Sequence, residues 1–217
     1  TALGVPAVQA NATNTVSLCP GYIGGTYAQR KDLTGLRGAL VPQLIAAAIG
    51  GLAGSVLLIV TSESIFREIV PWLILTACLL LAVQDRLRTW LRSRNDGAGG
   101  GNNVAEVVAT AAAAVYGGYF GAGLGIMLIA VLGLFSDLPL TRLNAVKQLL
   151  SVVVGISAAA FLMFSGKVEW TLVLVMAPAS LVGGHVGGRF AGSLPPRLLR
   201  LCVVSFGVIV AVIYLLR

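Results

Sequence analysis

The sequence predicts an all-α, polytopic membrane protein made of two related halves, and three observations carry that prediction. Of the 217 residues, 57% are hydrophobic and only 11% charged, and the mean hydropathy is +0.92. Soluble domains run at about 45–50% apolar and about 25% charged. A chain of this size has no interior large enough to hide the excess, so lipid takes the place of the core. The apolar residues also fall into seven long runs without the period-two alternation of barrel strands. Finally, landmarks of the first half recur in the second at one constant shift.

The runs cover 9–28, 39–60, 69–83, 107–135, 143–164, 170–188 and 201–216. Most match the roughly 30 Å of a bilayer core. The third is short and needs Arg67, Glu68 and Asp85 to snorkel at its ends. The fourth is too long for one straight crossing. Its stretch Tyr116-Gly117-Gly118-Tyr119-Phe120-Gly121-Ala122-Gly123-Leu124-Gly125 predicts a break near residues 117–125. Between the third and fourth runs, 84–104 is basic and then glycine-rich. It reads as an interfacial segment followed by a flexible linker. The expected organisation is a first repeat over 1–84, a linker over 85–104 and a second repeat over 105–217.

The net charge is +7. The basic residues sit in short loops with no interleaved stacking aromatics, which points to topology rather than nucleic acid. Seven crossings would put the linker on the side of Arg30, Lys31, Arg37, Lys167 and Arg217, with Arg86, Arg88, Arg92 and Arg94. Arg67, Arg142, Arg189, Arg197 and Arg200 would face the other side. The excess makes the linker and the C-terminus cytoplasmic. Cys19, Cys78 and Cys202 are scattered and form no ligand pair, so no metal or redox cofactor is expected. The sequon Asn11-Ala12-Thr13 lies at the start of an apolar segment and reads as fortuitous.

The repeat aligns Pro6, Asn11 and Ala12 with Pro139, Asn144 and Ala145. It also aligns Gly50, Gly51, Gly54 and Arg67 with Gly183, Gly184, Gly187 and Arg200, always by the same shift. Duplicated halves are typical of transporters. The second half opens with a long run ahead of Pro139, and the first has no such run ahead of Pro6. The expectation is a first repeat missing its first helix. Four spans per complete repeat, an even number, would make the repeats parallel, with Asn11 and Asn144 at equal depth.

Asn144, Lys147, Gln148 and Ser151 fall on one helical face amid aliphatic residues. Asn11, Asn14 and Thr15 repeat the pattern. Such stripes either bond helix to helix or face a site. The eight acids, Asp32, Glu63, Glu68, Asp85, Asp96, Glu106, Asp137 and Glu169, all lie in loops or at run ends. Lys147 therefore has no evident embedded counter-charge. One cation with amide and hydroxyl donors suits a small anion, although Lys147 could instead snorkel to the interface near Arg142. The broken fourth run could present free N–H groups to an anion around Gly121 and Gly123, or could simply pack tightly. His185 and Arg189 are one turn apart within Gly183–Arg189, where packing is the plainer reading. No nucleophile triad or paired-carboxylate site is visible, so an enzyme is not expected.

Several stretches together resemble the TauE/SafE-type sulfite exporter family of membrane permeases. They are the glycine stretch from Tyr116 through Ile126-Met127-Leu128, Leu143-Asn-Ala-Val-Lys147, Gly166-x-Val-x-Trp170, Val182–Ala191 and Leu194-Pro-Pro-Arg-Leu-Leu-Arg200. In the first half they are Ala10–Thr15 and Pro20-Gly-Tyr22. The resemblance covers nearly the whole chain. It implies two four-helix repeats in the bacterial inner membrane and a role in moving sulfite, sulfoacetate or related organosulfur anions. It departs from the family in the absent first span. The expected substrate-binding residues are Asn11, Asn14, Thr15, Asn144, Lys147, Gln148, Gly121 and Gly123. The expected partners are a small anion and the bilayer, with a proton or sodium ion as the candidate coupling ion. The competing class is a non-transporting membrane scaffold whose glycines and amides only pack helices.

Overall fold

A computed structural model describes residues 5–36, 38, 40–95, 103–136, 138–190, 205 and 209. The seventh run apart from residues 205 and 209, the glycine-rich part of the linker, Arg37, Asp137, Arg197, Arg200 and the C-terminus lie outside them. The protein is a polytopic α-helical membrane protein. Its described helices are α1 (Ala7–Ala28), α2 (Val41–Val60), α3 (Glu63–Asn95), α4 (Asn103–Tyr119), α5 (Leu124–Phe135), α6 (Leu140–Leu162) and α7 (Trp170–Phe190). Three of them, over Val41–Val60, Thr141–Leu162 and Trp170–Gly187, are long and apolar enough to cross a membrane by length and composition. The basic residues after the third run continue α3 as helix to Asn95.

The repeat is visible in local geometry. α1 and α6 both start from an N-cap proline, Pro6 at φ −54°, ψ 148° and Pro139 at φ −54°, ψ 149°. A fixed proline φ is pre-organised for helix entry and removes a donor that the first turn leaves unpaired anyway. The packing repeats too. A Cβ at Gly51 would press on the Val154 carbonyl, and one at Gly184 would overlap that of Gly21. The constant shift that carries Gly51 to Gly184 also carries Gly21 to Val154, so one contact is made twice.

The relation between the halves is inverted, not parallel. Asn144 near the start of α6 bonds Gln29 just past the end of α1. Gly155 packs on Cys19 and Tyr22 in the middle. The Glu169 N–H beyond α6 donates to Thr13 near the start of α1, at 2.9 Å. α1 and α6 are therefore antiparallel, and the expected equal depth of Asn11 and Asn144 is overturned. Asn144 is level with the end of α1, and Asn11 lies near the start of that helix.

The reason lies in the fourth run. It breaks at a 3₁₀ turn, Gly121–Gly123, as the glycines suggested. Gly50 of α2 lies on Ala111 and Ala114, and Gly54 on Val115, Gly118 and Tyr119, so α2 and α4 run parallel. α5 then returns the way α4 came. After a short connection α6 starts, and Arg142 is already bonded to the carbonyls of Asp32 and Thr34 beside the start of α2. The tip at Gly121 rests on Thr15, roughly 12 Å by helix rise from the start of α1. α4 and α5 thus form a re-entrant hairpin that adds no net crossing. A repeat with an odd number of net crossings must insert upside down relative to its mate.

The hairpin also changes which charges share a side. Arg142 joins Arg30 and Lys31 at the linker end, bonded to that loop at 3.1 and 2.6 Å. Lys167, beside Glu169, lies at the opposite end with Arg67. The side assignment of Arg142 and Lys167 is therefore the reverse of the expectation from seven crossings. α7 runs parallel to α1, with Gly21 on Ser180 and Gly24 on Leu181 and His185, so Arg189 ends up on the linker side.

Candidate site at the hairpin tip

The tip of the α4–α5 hairpin sits between the two polar stripes. On one side, Asn11 is buried and its Nδ2 donates to the Tyr119 carbonyl at 2.7 Å. Thr15, also buried, donates to the Asn11 carbonyl at 2.9 Å. Its Oγ1 lies 2.7 Å from where a Cβ at Gly121 would be. Only glycine lets the tip come this close. On the other side, the Lys147 stem runs along the start of α5, with Cδ 3.9 Å from the Cβ position of Gly125.

Tyr116 braces the turn from within α4. Its hydroxyl donates to the Leu73 carbonyl of α3 at 3.0 Å, and its ring fills the space a side chain at Gly123 would need. Neither the 3₁₀ turn nor α5 has a side-chain cap at its start. The N–H groups of Gly123 and Leu124, where the turn passes into α5, are bonded to the Phe120 and Gly121 carbonyls.

Gln148, one residue after Lys147, turns toward α1, where its amide occupies the space over Gly25. Asn144 is held at the linker end, donating to Gln29 at 2.8 Å. Asn14 is half-buried on α1. So the tip brings together Asn11, Thr15, Gly121, Gly123 and, through Gly125, Lys147. Asn144 stands apart from them, and Gln148 faces a different helix. His185 stacks near Tyr27, with ring centroids 6.3 Å apart, and Arg30 lies over that tyrosine at 4.3 Å.

Three buried hydroxyls, Thr26, Thr110 and Ser151, have no hydrogen-bond partner among the described residues. In a membrane helix a hydroxyl ordinarily bonds the carbonyl four residues back, as Thr15, Ser17 and Thr61 do here. Ser151 is one turn from Lys147 on the same face of α6. Thr110 lies beside Ala111, whose carbonyl meets Gly50, while the adjacent Gly51 meets Val154. Thr110 and Ser151 are therefore within about a turn of one depth. Sequence reasoning missed Thr26 and Thr110, because only the hydrogen-bond inventory separates an orphaned hydroxyl from one bonded along its own helix. A buried polar group without a partner is costly and invites a water or ligand.

The arrangement is a cation beside a glycine turn, with buried hydroxyl groups that have no partner among the described residues. Among the described residues no carboxylate pairs with Lys147. Chemically it can take a small anion; it offers no nucleophile–base pair.

The chain matches the family described as Sulfite exporter TauE/SafE over residues 1–214. It is 24% identical to the "Probable membrane transporter protein YfcA" of Escherichia coli K12 over 204 residues, 94% of this chain and 74% of that protein. The proteins of the same name from E. coli O6:H1 and O157:H7 match to the same extent. No solved structure matches.

Proposed function

The chain belongs to the TauE/SafE sulfite exporter family of membrane transporters, and on that premise we propose that it moves small oxyanions, sulfite or an organosulfonate such as sulfoacetate, outward across a bacterial inner membrane. It is a permease and not an enzyme. The observation that supports the anion reading is Lys147, embedded in α6 against the start of α5 with no carboxylate partner among the described residues. An embedded cation without a counter-charge, beside a glycine turn, is an arrangement that can neutralise an oxyanion. Asn11 and Thr15 hold the tip in place from the other side, and Gly121 and Gly123 let backbone approach the ion.

The orientation follows from charge. Arg30, Lys31, Arg142, Arg189 and the α3 segment that carries Arg86, Arg88, Arg92 and Arg94 share one side, against Arg67 and Lys167 on the other. By the preference of Lys and Arg for the cytoplasm, the linker side is inward.

The test is sulfite and sulfonate uptake into proteoliposomes. Wild type should accumulate the anion, and Lys147→Met should lower the flux tenfold or more at equal protein incorporation. Flux equal to wild type in Lys147→Met would make Lys147 an interfacial anchor and remove the site assignment.

A further inference from the structure

Of the three buried hydroxyls without a partner among the described residues, those of Thr26 and Ser151 fall on one seam, between α1 and α6 on the linker side of the hairpin tip. Thr110, the third, is on α4. Contacts on both helices fix the seam. On α1, Cys19 and Tyr22 pack on Gly155, Gly25 lies under the Gln148 amide, and Gln29 accepts from Asn144 at 2.8 Å. By helix geometry these four span about 120° of the α1 surface, and Thr26 falls inside that arc. On α6, Asn144, Gln148 and Gly155 meet α1, while Lys147 runs to Gly125 of α5. Ser151 lies between those two directions. The same antiparallel contacts set the depth. Thr26 follows Gly25 and is level with Gln148, and Ser151 is less than one turn further along α6, about 5 Å by helix rise.

Thr15, Ser17 and Thr61 each bond the carbonyl four residues back along their own helix. Thr26 and Ser151 make no such bond, and a buried hydroxyl left in that state is costly. Ser151 is fully buried. The polar groups that accompany it on the seam and at its edge are the Thr26 hydroxyl, the Gln148 amide and the Lys147 ammonium. Neither α1 nor α6 carries an Asp or Glu. A metal cation placed here would face Lys147 with no carboxylate on either helix to offset the repulsion. An oxyanion would meet hydrogen-bond donors and a positive charge. We propose that the anion neutralised by Lys147 lies in this seam, where the Thr26 and Ser151 hydroxyls donate to its oxygens. The inference rests on the anion-transport reading above. It makes Thr26 and Ser151 substrate-binding residues, and the ligand class is a sulfite or sulfonate head whose oxygens accept hydrogen bonds from both helices.

The experiment measures sulfite and sulfoacetate uptake into proteoliposomes over a range of anion concentrations, at equal protein incorporation. Thr26→Val and Ser151→Ala each remove a hydroxyl with little change of shape. Each should raise the half-saturating anion concentration about tenfold, the scale of one hydrogen bond to a charged group. Thr26→Ser keeps the hydroxyl and should stay close to wild type. Thr61→Val, at a hydroxyl bonded to Leu57 and away from the seam, should leave uptake unchanged. A second readout needs no transport. Without anion, the thermal midpoints of Thr26→Val and Ser151→Ala should equal or exceed that of wild type, because the hydroxyl removed has no partner to lose. The rise in midpoint that sulfoacetate gives wild type should shrink in both. Lower anion-free midpoints in both variants would show hydroxyls bonded within the protein and would overturn the proposal. Uptake that falls in Lys147→Met but keeps its wild-type concentration dependence in Thr26→Val and Ser151→Ala would also overturn it, and would leave the anion-transport reading standing. Absence of uptake by wild type would overturn both.

Discussion

α1 and α6 start alike, with a proline N-cap and an asparagine five residues later, but they use their polar faces differently. On α1 four polar residues near its start are bonded to protein, while Asn14 and the buried Thr26 hydroxyl have no hydrogen bond among the described residues. Asn11 holds Tyr119, Thr15 holds Asn11, Ser17 holds Thr13, and Thr13 receives Glu169. Of the α6 stripe, only Asn144 has such a bond among the described residues, to Gln29. Lys147 stands where α1 has Asn14, and Ser151, without a partner, where α1 has Leu18. Two stripes of the same spacing thus separate into one that fastens helices and one that is left open to a ligand. Spacing brought polar groups to one face in both cases, and the neighbouring helices decided whether they were bonded.

The largest expected effect strikes the open stripe. Removing a buried charge from a paired anion forfeits about 2–5 kcal/mol, and about 1.4 kcal/mol is already tenfold. Lys147→Met should therefore cut anion flux at least tenfold, with Lys147→Arg retaining part because it keeps charge but not shape. Asn14→Leu at the equivalent place on α1 should change flux far less. Comparable losses in the two variants, measured in the same vesicles, would erase the distinction between the stripes.

Next in size is the contrast between Gly54 of α2, packed on the backbone of α4, and its repeat counterpart Gly187 of α7, whose Cβ position meets no described residue within 4 Å. Gly54→Ala drives a Cβ into the backbone of Val115 and Tyr119. Overpacking of this kind destabilises by about 1–3 kcal/mol, against which the helix preference of Ala over Gly returns at most about 1 kcal/mol. The thermal midpoint should fall for Gly54→Ala and hold or rise slightly for Gly187→Ala. A fall of the same size in both would show that the two positions are equally packed.

The smallest effect compares the two asparagines. Asn11→Leu leaves the Tyr119 carbonyl without its side-chain donor in a buried setting, a loss of about 1–3 kcal/mol. Asn144→Leu frees the Gln29 amide near the end of the helix. Gln29 is itself buried, but Asn144 is only half-buried, so the loss should fall in the lower part of that range. Midpoints in the reverse order would place the tighter fastening on α6.

Hydropathy alone located the helices, because in lipid a backbone must satisfy itself within each segment and only long apolar helices do so. One constant shift related the halves, and the crowding of glycine from Gly117 to Gly125 marked the break. These are local properties of composition and order. What followed the break was not local. An apolar run as long as 107–135 serves equally for a kinked crossing and for a hairpin, since both bury the same side chains in the same solvent. The choice was made by α2, whose Gly50 and Gly54 admit α4 only at backbone contact, and by Arg142, which ties the start of α6 to the loop before α2. That single return inverted the repeat and separated Asn11 from Asn144. It also put Arg142 and Lys167 on the opposite sides from those that counting crossings suggested. Sequence determined which segments enter the membrane, whereas their direction and the groups they meet depend on packing between residues 61 to 110 positions apart.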